Sequence, residues 1–271
     1  MRCVFCRADS TSSRSEEHII PHSLGNRRHI LKPGIVCDAC NNYFSREVER
    51  PFLNAPAIQH LRFHELLESR KGSIPSISGV ILPDIPVTLY RDYKTGRMSV
   101  DVPLEAVNRV AAMPEGKLIF PMSGQPPTDP AISRFMAKVA LEAMAHRLSG
   151  KPEGLDYLCD ESQLDLLRDH ARRGRQPVWP VHSRRIYDTD SRAYDGETDL
   201  GQTVHEFDFL VTPENEWYFV LAIFGLELTI NLGGPDIDGY LRWLAANENA
   251  SPLYWGKNAV HRMPGPSRND D

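Results

Sequence analysis

Two Cys-x-x-Cys pairs, "CVFC" with Cys3 and Cys6 and "CDAC" with Cys37 and Cys40, constrain this chain more than any other feature. They use four of its five cysteines. In a reducing compartment two such knuckles present four thiolates in tetrahedral geometry, the closed ligand set of structural zinc, in preference to disulfides. The interval from Arg7 to Val36 is longer than a compact zinc ribbon needs, so the metal closes a loop with a shape of its own.

Inside that loop lies "SEEHIIPHSLGN", residues 15–26, which sets Glu16 and Glu17 against His18, then Ile-Ile-Pro, then a polar turn through Gly25. A solvated loop can carry such charge without purpose, and only the flanking knuckles make the stretch informative. Immediately after the last cysteine comes "NNYFSREVERP", with Phe44 and Val48 at helical spacing. The spacing predicts a helix from Asp38, capped by that residue and stopped at Pro51.

Taken together, the paired knuckles, Glu-His-Ile-Ile-Pro, Ser-Leu-Gly and the Asn after the last cysteine resemble the HNH endonucleases of the ββα-metal fold over about residues 1–50. The resemblance implies a strand carrying Glu17 and His18, a second strand near His29 to Val36, and the helix from Asp38. It also implies roles: His18 as general base, with Glu17 and Asn41 holding a catalytic Mg²⁺ or Mn²⁺. Phosphodiester hydrolysis needs an activated water and a stabilised leaving oxygen, which one imidazole and one divalent cation supply between them. An unperturbed imidazole, with a pKa of roughly 6.5, accepts a proton at neutral pH. Hard oxygen ligands suit Mg²⁺ or Mn²⁺, whereas the thiolates suit zinc. Many relatives have Asp where this chain has Glu17. The family's middle Asn, which orients the histidine, has no evident counterpart, because Asn26 comes early and "KPGIV" offers no amide. Glu16 reads as a solvated neighbour and Asn42 as a polar helix residue.

The net charge of −5 is unevenly placed: residues 1–72 hold 11 Lys+Arg against 8 Asp+Glu, and the remainder 20 against 28. Local rather than net charge governs affinity for phosphates, so the acidic total argues only against indiscriminate coating of DNA. No apolar leader precedes the first knuckle, and "WYFVLAIFGL" at 217–226 is too short to span a bilayer. The expectation is a cytoplasmic protein without membrane contact.

The remainder reads as a larger α+β domain with antiparallel strands and two helices. The expected division is 1–54 for the zinc-closed module, 55–73 for a helical linker, 74–255 for the second domain and 256–271 for a disordered tail. "VTLYRDYKTGRMSVDV" reads as a hairpin, "DPAISRFMAKVALEAMAHRL" as an amphipathic helix with Ile132, Phe135, Met136, Val139, Ala143 and Met144 on one face, and "ESQLDLLRDHARRG" as a second helix closed by Gly174. "HEFDFLV" and "LELTINL" alternate as strands.

One further stretch, residues 168–185, surrounds Trp179 with arginines. Arg172, Arg173, Arg175, Arg184 and Arg185 could grip phosphates while the indole stacks on an unpaired base. The same arginines also suit a solvated helix end. Cys159 reads as an inert buried thiol. The function expected is a metal-dependent endonuclease acting on nucleic acid, DNA foremost, with a homodimer and a small-molecule or protein regulator as open options. Two other readings stand beside it: a zinc-stabilised nucleic-acid-binding module without catalysis, and a nuclease held silent by a ligand-sensing C-terminal domain.

Overall fold

In the computed structural model the described residues are 1–122, 130–174, 179–189, 191–195, 199–253 and 258–262. They form an α+β protein built on antiparallel sheets and divided into two compact units. One comprises Met1–Pro21, Gly25–Pro51 and Thr128–Asp271, and the other His22–Leu24 and Phe52–Pro127. This division replaces the one expected from sequence. The N-terminal knuckles share a unit with the C-terminal half, and the supposed linker belongs with the segment that follows it.

In the first unit a short hairpin pairs β1 (Glu17–His18) with β2 (Ile30–Leu31), in the register Glu17 with Leu31 and His18 with Ile30. Helix α1 (Asp38–Phe44) follows. Its N-cap is Cys37, whose sulfur accepts from Cys40 N–H, while the Asp38 carboxylate, one residue inside, accepts from the N–H groups of Arg14 and Ser15. The helix does not stop at Pro51. A π-helical turn over Ser45–Glu49, in which Arg50 N–H reaches Ser45 O, runs directly into α2 (Arg50–Leu53), so Pro51 sits inside a continuous helical run, and the carbonyl of Glu47, four residues before it, accepts from Arg134 at 3.2 Å.

The second unit opens with α3 (Pro56–His64), shorter than the helix to Gly72 expected from sequence. Its sheet has the order β5-β4-β3-β6, formed by β3 (Ile77–Ile81), β4 (Ile85–Arg91), β5 (Met98–Asp101) and β6 (Leu118–Ile119), with α4 (Val107–Ala111) between the last two. Alternation sends Ile77, Ile81, Ile85, Val87 and Leu89 inward onto Phe63 and Ala106. The β4–β5 pair is the hairpin read from sequence.

The chain returns to the first unit with α5 (Pro130–Leu148), α6 (Gly154–Asp160) and α7 (Asp165–Arg173), the last ended by Gly174 at φ +59°. The large sheet then runs β12-β9-β10-β11-β7, with β8 also on β9, from β7 (Val181–Arg185), β8 (Arg192–Asp195), β9 (Asp199–Val211), β10 (Trp217–Ile223), β11 (Leu226–Asn231) and β12 (Val260–Arg262). Before β12, α8 (Asp238–Ala246) covers Tyr218, Val220 and Ala222 with Tyr240 and Leu244. The stretch read as a disordered tail therefore contains an edge strand, and residues 263–271 lie outside the described residues. Among the described residues no helix is long and apolar enough to cross a membrane.

Candidate functional site

The knuckles are built by tight turns. Arg7, at φ 61°, turns the first so that its N–H returns to Cys3 O, and Val4 N–H bonds Ile35 O across to the second. The four sulfurs lie within 4.8 Å of one another, with Cys6 and Cys37 3.7 Å apart, and no disulfide links them. Backbone donors face sulfur, Cys37 N–H to Cys3 at 3.3 Å and Cys40 N–H to Cys37 at 3.4 Å. The Cys40 thiol, helped by backbone N–H groups and against the effect of burial, brings Cys3 down to about 4, while Cys40 is pushed up. A cluster that already favours a thiolate and closes on itself is compatible with a structural zinc.

Beside this cluster, strand alternation separates two neighbours of β1. Glu17 turns inward and is 5% exposed, whereas His18 is half-buried and Glu16 exposed. Asn41, in the first turn of α1, donates through Nδ2 to Glu16 O at 3.3 Å, which fixes the start of the helix against the strand. The hairpin loop is closed by Asn26, which is fully buried. Its Nδ2 donates to Ile20 O (2.8 Å) and His29 O (2.9 Å), and its Oδ1 accepts from the N–H of Arg28 (3.1 Å) and His29 (3.0 Å). Sequence reasoning set Asn26 aside on its position, yet it is the amide that shapes this loop.

Behind Glu17 stands a residue that sequence reasoning missed. Lys138 on α5 is fully buried, and its ammonium lies 2.6 Å from Glu17 Oε1, 2.7 Å from Glu49 Oε1 and 2.9 Å from Glu142 Oε2. Burial opposes its charge, but the three carboxylates outweigh it and raise its pKa well above the ordinary lysine value. Burial raises that of Glu142 despite the lysine beside it. A Lys and a Glu four residues apart within "FMAKVALEAM" are the available signal, since a helix apolar on every other side has no solvent face to give them.

The arginine stretch does not form one groove. Arg172 and Arg173 line a cavity of about 360 Å³ with Cys6, Cys37, Ala39, Cys40 and Tyr43, beside the knuckles and α1. Tyr43 hydroxyl donates to Arg172 O, and Arg134 donates to the same carbonyl at 2.9 Å. Arg173 pairs with Asp169 at 2.7 Å. Arg184 instead meets the fully buried Glu227 at 2.5 Å, and Arg185 donates to Phe224 O at 2.9 Å. Trp179 is 2% exposed, donates to Asn231 O at 2.8 Å and packs on His170, so its faces are covered and it is a core indole rather than a stacking platform. Arg175 lies outside the described residues. Cys159 is buried, and burial raises its thiol pKa, in keeping with an inert role.

The hairpin, the helix and the four-cysteine cluster define a small ββα module with four thiols that could hold a metal. Residues 3–56 match the family described as HNH endonuclease, and the cysteine cluster fits a zinc variant of that family. No curated protein and no solved structure matched the chain.

Proposed function

We propose that the chain is a metal-dependent endonuclease that hydrolyses phosphodiester bonds in nucleic acid, DNA foremost. The observation that carries this reading is the match of residues 3–56, which include the hairpin bearing His18 and the helix bearing Asn41, to the HNH endonuclease family. Zinc at Cys3, Cys6, Cys37 and Cys40 holds the N-terminus to the helix, which keeps that geometry fixed. The family resemblance assigns a second metal to Glu17 and Asn41, whose carboxylate and amide oxygens are hard donors. The Glu17 carboxylate is turned inward onto the Lys138 ammonium while His18 lies on the outer face, so a metal held by Glu17 would require that carboxylate to leave the ammonium. Mg²⁺ or Mn²⁺ bound there would neutralise charge at the scissile phosphate.

The chain's own residues account for the rest. His18, half-buried on the outer face of the hairpin, takes the proton of the attacking water. Asn26 fixes the loop that begins two residues beyond it. Asn41 holds the start of α1 against β1, so that strand and helix present their polar side chains together. Arg172 and Arg173, at the cavity beside α1, supply positive charge for the flanking backbone.

The test is a cleavage gel of plasmid, linear duplex, single-stranded DNA and RNA with Mg²⁺ or Mn²⁺, comparing the natural chain with His18→Ala. Cleavage that falls at least about a hundredfold in the variant, with zinc content retained, supports the role of His18. Full activity in the variant removes it, and no cleavage of any substrate by the natural chain favours the reading of a binding module without catalysis. A nicked plasmid indicates one active site per encounter, and a linear product two copies acting together.

A further inference from the structure

We infer that β5 is the seam of a two-fold dimer, in which two copies of the chain join their four-stranded sheets edge to edge. The inference is independent of the nuclease reading and rests on the second compact unit alone. Strand β5 pairs with β4 on one side, and among the described residues no strand lies on its other side. Its hydrogen-bonding phase follows from the hairpin turn. Asp92 N–H donates to Arg97 O at 2.9 Å, so by alternation Tyr90 with Ser99 and Thr88 with Asp101 are the hydrogen-bonded pairs, while Arg91 with Met98 and Leu89 with Val100 are not. The backbone N–H and C=O groups of Met98 and Val100 therefore point out from the edge.

The side chains point the same way. Val100 lies opposite the fully buried Leu89, which puts Val100 and Met98 on the core face of the sheet. They nevertheless remain 37% and 41% exposed, because no further strand covers that margin. Natural edges are blunted by a charge on the core face, a lysine, a proline or extreme shortness. The opposite edge obeys this, since β6 is two residues long and Pro121 follows closely. The charges of β5 lie instead on the outer face, Arg97 two residues before Ser99 and Asp101 two residues after it, both exposed and neither in an ion pair among the described residues. Opposite charges placed symmetrically about one residue suit a strand that meets its own copy. When two β5 strands run antiparallel about an axis at Ser99, Met98 faces Val100 of the second copy and exchanges both backbone hydrogen bonds with it, once on each side of the axis. Arg97 then faces Asp101 of the second copy in a non-hydrogen-bonded pair, where side chains approach most closely. An axis at Met98 or Val100 sets Arg97 against Ser99 or Pro103 and loses both charge pairs. So short a seam is smaller than a standard interface, and the dimer it makes forms and parts with concentration.

The test is sedimentation velocity of the full-length, zinc-loaded chain from about 1 to 200 µM, over which the natural chain should pass from monomer towards dimer. Arg97→Asp sets like charges opposite each other on both sides of the axis and should raise the dissociation constant about tenfold or more. Asp101→Arg should do the same. Arg97→Asp combined with Asp101→Arg restores opposite charges across the axis and should bring the constant back to near that of the natural chain. Both positions are exposed and bear on no core contact, so the variants keep their fold. Ser99→Cys reads the register directly, because the axis brings that residue onto its own copy at a Cα separation of roughly 4.5 Å, within reach of a disulfide, whereas Val100→Cys is offset from itself. Under mild oxidation Ser99→Cys should give a covalent dimer on a non-reducing gel in excess of that from Val100→Cys or the natural chain. A chain that stays monomeric throughout the range overturns the inference. So does a dimer that neither single charge change weakens, a double charge variant no better than the single ones, or equal cross-linking by the two cysteine variants.

Discussion

Asn26→Ala tests how the hairpin holds its shape. The native side chain makes four hydrogen bonds, all to backbone, from a site with no solvent exposure. Truncation does not harm the four partners equally. His29 O also accepts from Ile19 N–H at 3.1 Å and keeps that bond, so the groups that lose their partner are Ile20 O and the N–H groups of Arg28 and His29. Three such losses at about 1 kcal/mol each give about 3 kcal/mol, more if water cannot reach them. In a unit of this size that corresponds to a fall in Tm of roughly 6–12 °C. Urea unfolding and thermal melts of the zinc-loaded chain measure it, and cleavage should fall in parallel because the loop starts two residues after His18. Asn26→Asp should be worse at neutral pH, since it keeps the two accepting interactions but sets a carboxylate against two carbonyl oxygens. A loss below about 0.5 kcal/mol for Asn26→Ala would place it among ordinary surface changes and refute the clamp.

Replacing Cys37 and Cys40 together by Ser should abolish zinc binding, measured by elemental analysis, and make the whole first unit protease-sensitive; a stable fragment from residue 128 onward would contradict the single unit. Arg172→Ala with Arg173→Ala should weaken DNA binding and lower the salt slope by about two, as two phosphate contacts would, whereas an unchanged slope would remove both from the interface. Stability should also depend on pH through His29 and His205, whose rings meet at 3.2 Å. Burial, with His146 and Arg28 nearby, lowers His29 to about 4, and burial, with His29 and His261 nearby, lowers His205 to about 3. Both pKa values lie below the unfolded value near 6.5, so the unfolded chain binds more protons between them. The urea midpoint should therefore hold above pH 6.5 and fall from there towards pH 4; His205→Gln should flatten that fall, and an equal fall in the variant would discharge the pair.

What was legible in the sequence was local. The Cys-x-x-Cys pairs, the helix after Cys37 and the β4–β5 hairpin each depend on residues within a few positions of one another, where ligand geometry and side-chain period act directly, while the strand at Glu17–His18 was implied by the family resemblance. What was missed depends on distance. Lys138 is 121 residues from Glu17, and periodicity alone placed it on the outer side of an amphipathic helix; packing on both sides of α5 buried it instead. Trp179 was misread for the same reason, because its neighbours in sequence are polar while its neighbours in space are His170 and the end of β11. The structural part played by Asn26 was not legible because the four groups it joins are brought together only once the hairpin has folded.

The division of the chain follows from the same long-range contacts and changes how the basic N-terminal segment is understood. That segment carries an excess of positive charge, and two of its arginines are turned on the protein itself. Arg2 pairs with Asp156 at 2.9 Å and Asp160 at 2.7 Å, and Arg7 pairs with Asp165 and donates to Cys159 O at 2.6 Å. In return Arg168, 4% exposed, donates to Val4 O within the first knuckle at 3.0 Å. The first knuckle is thus anchored from two sides, by arginines it contributes and by one it receives. Exposed ion pairs of this kind contribute little singly, but the buried guanidinium of Arg168 cannot leave Val4 O without losing a partner. The knuckle, α6 and α7 therefore keep their arrangement together, and Arg172 and Arg173 at the end of α7 are held beside α1 for the same reason. Two arginines are thereby set next to the helix carrying Asn41 by a segment more than a hundred residues away in sequence, and the cysteine knuckles and the C-terminal half belong to one compact unit.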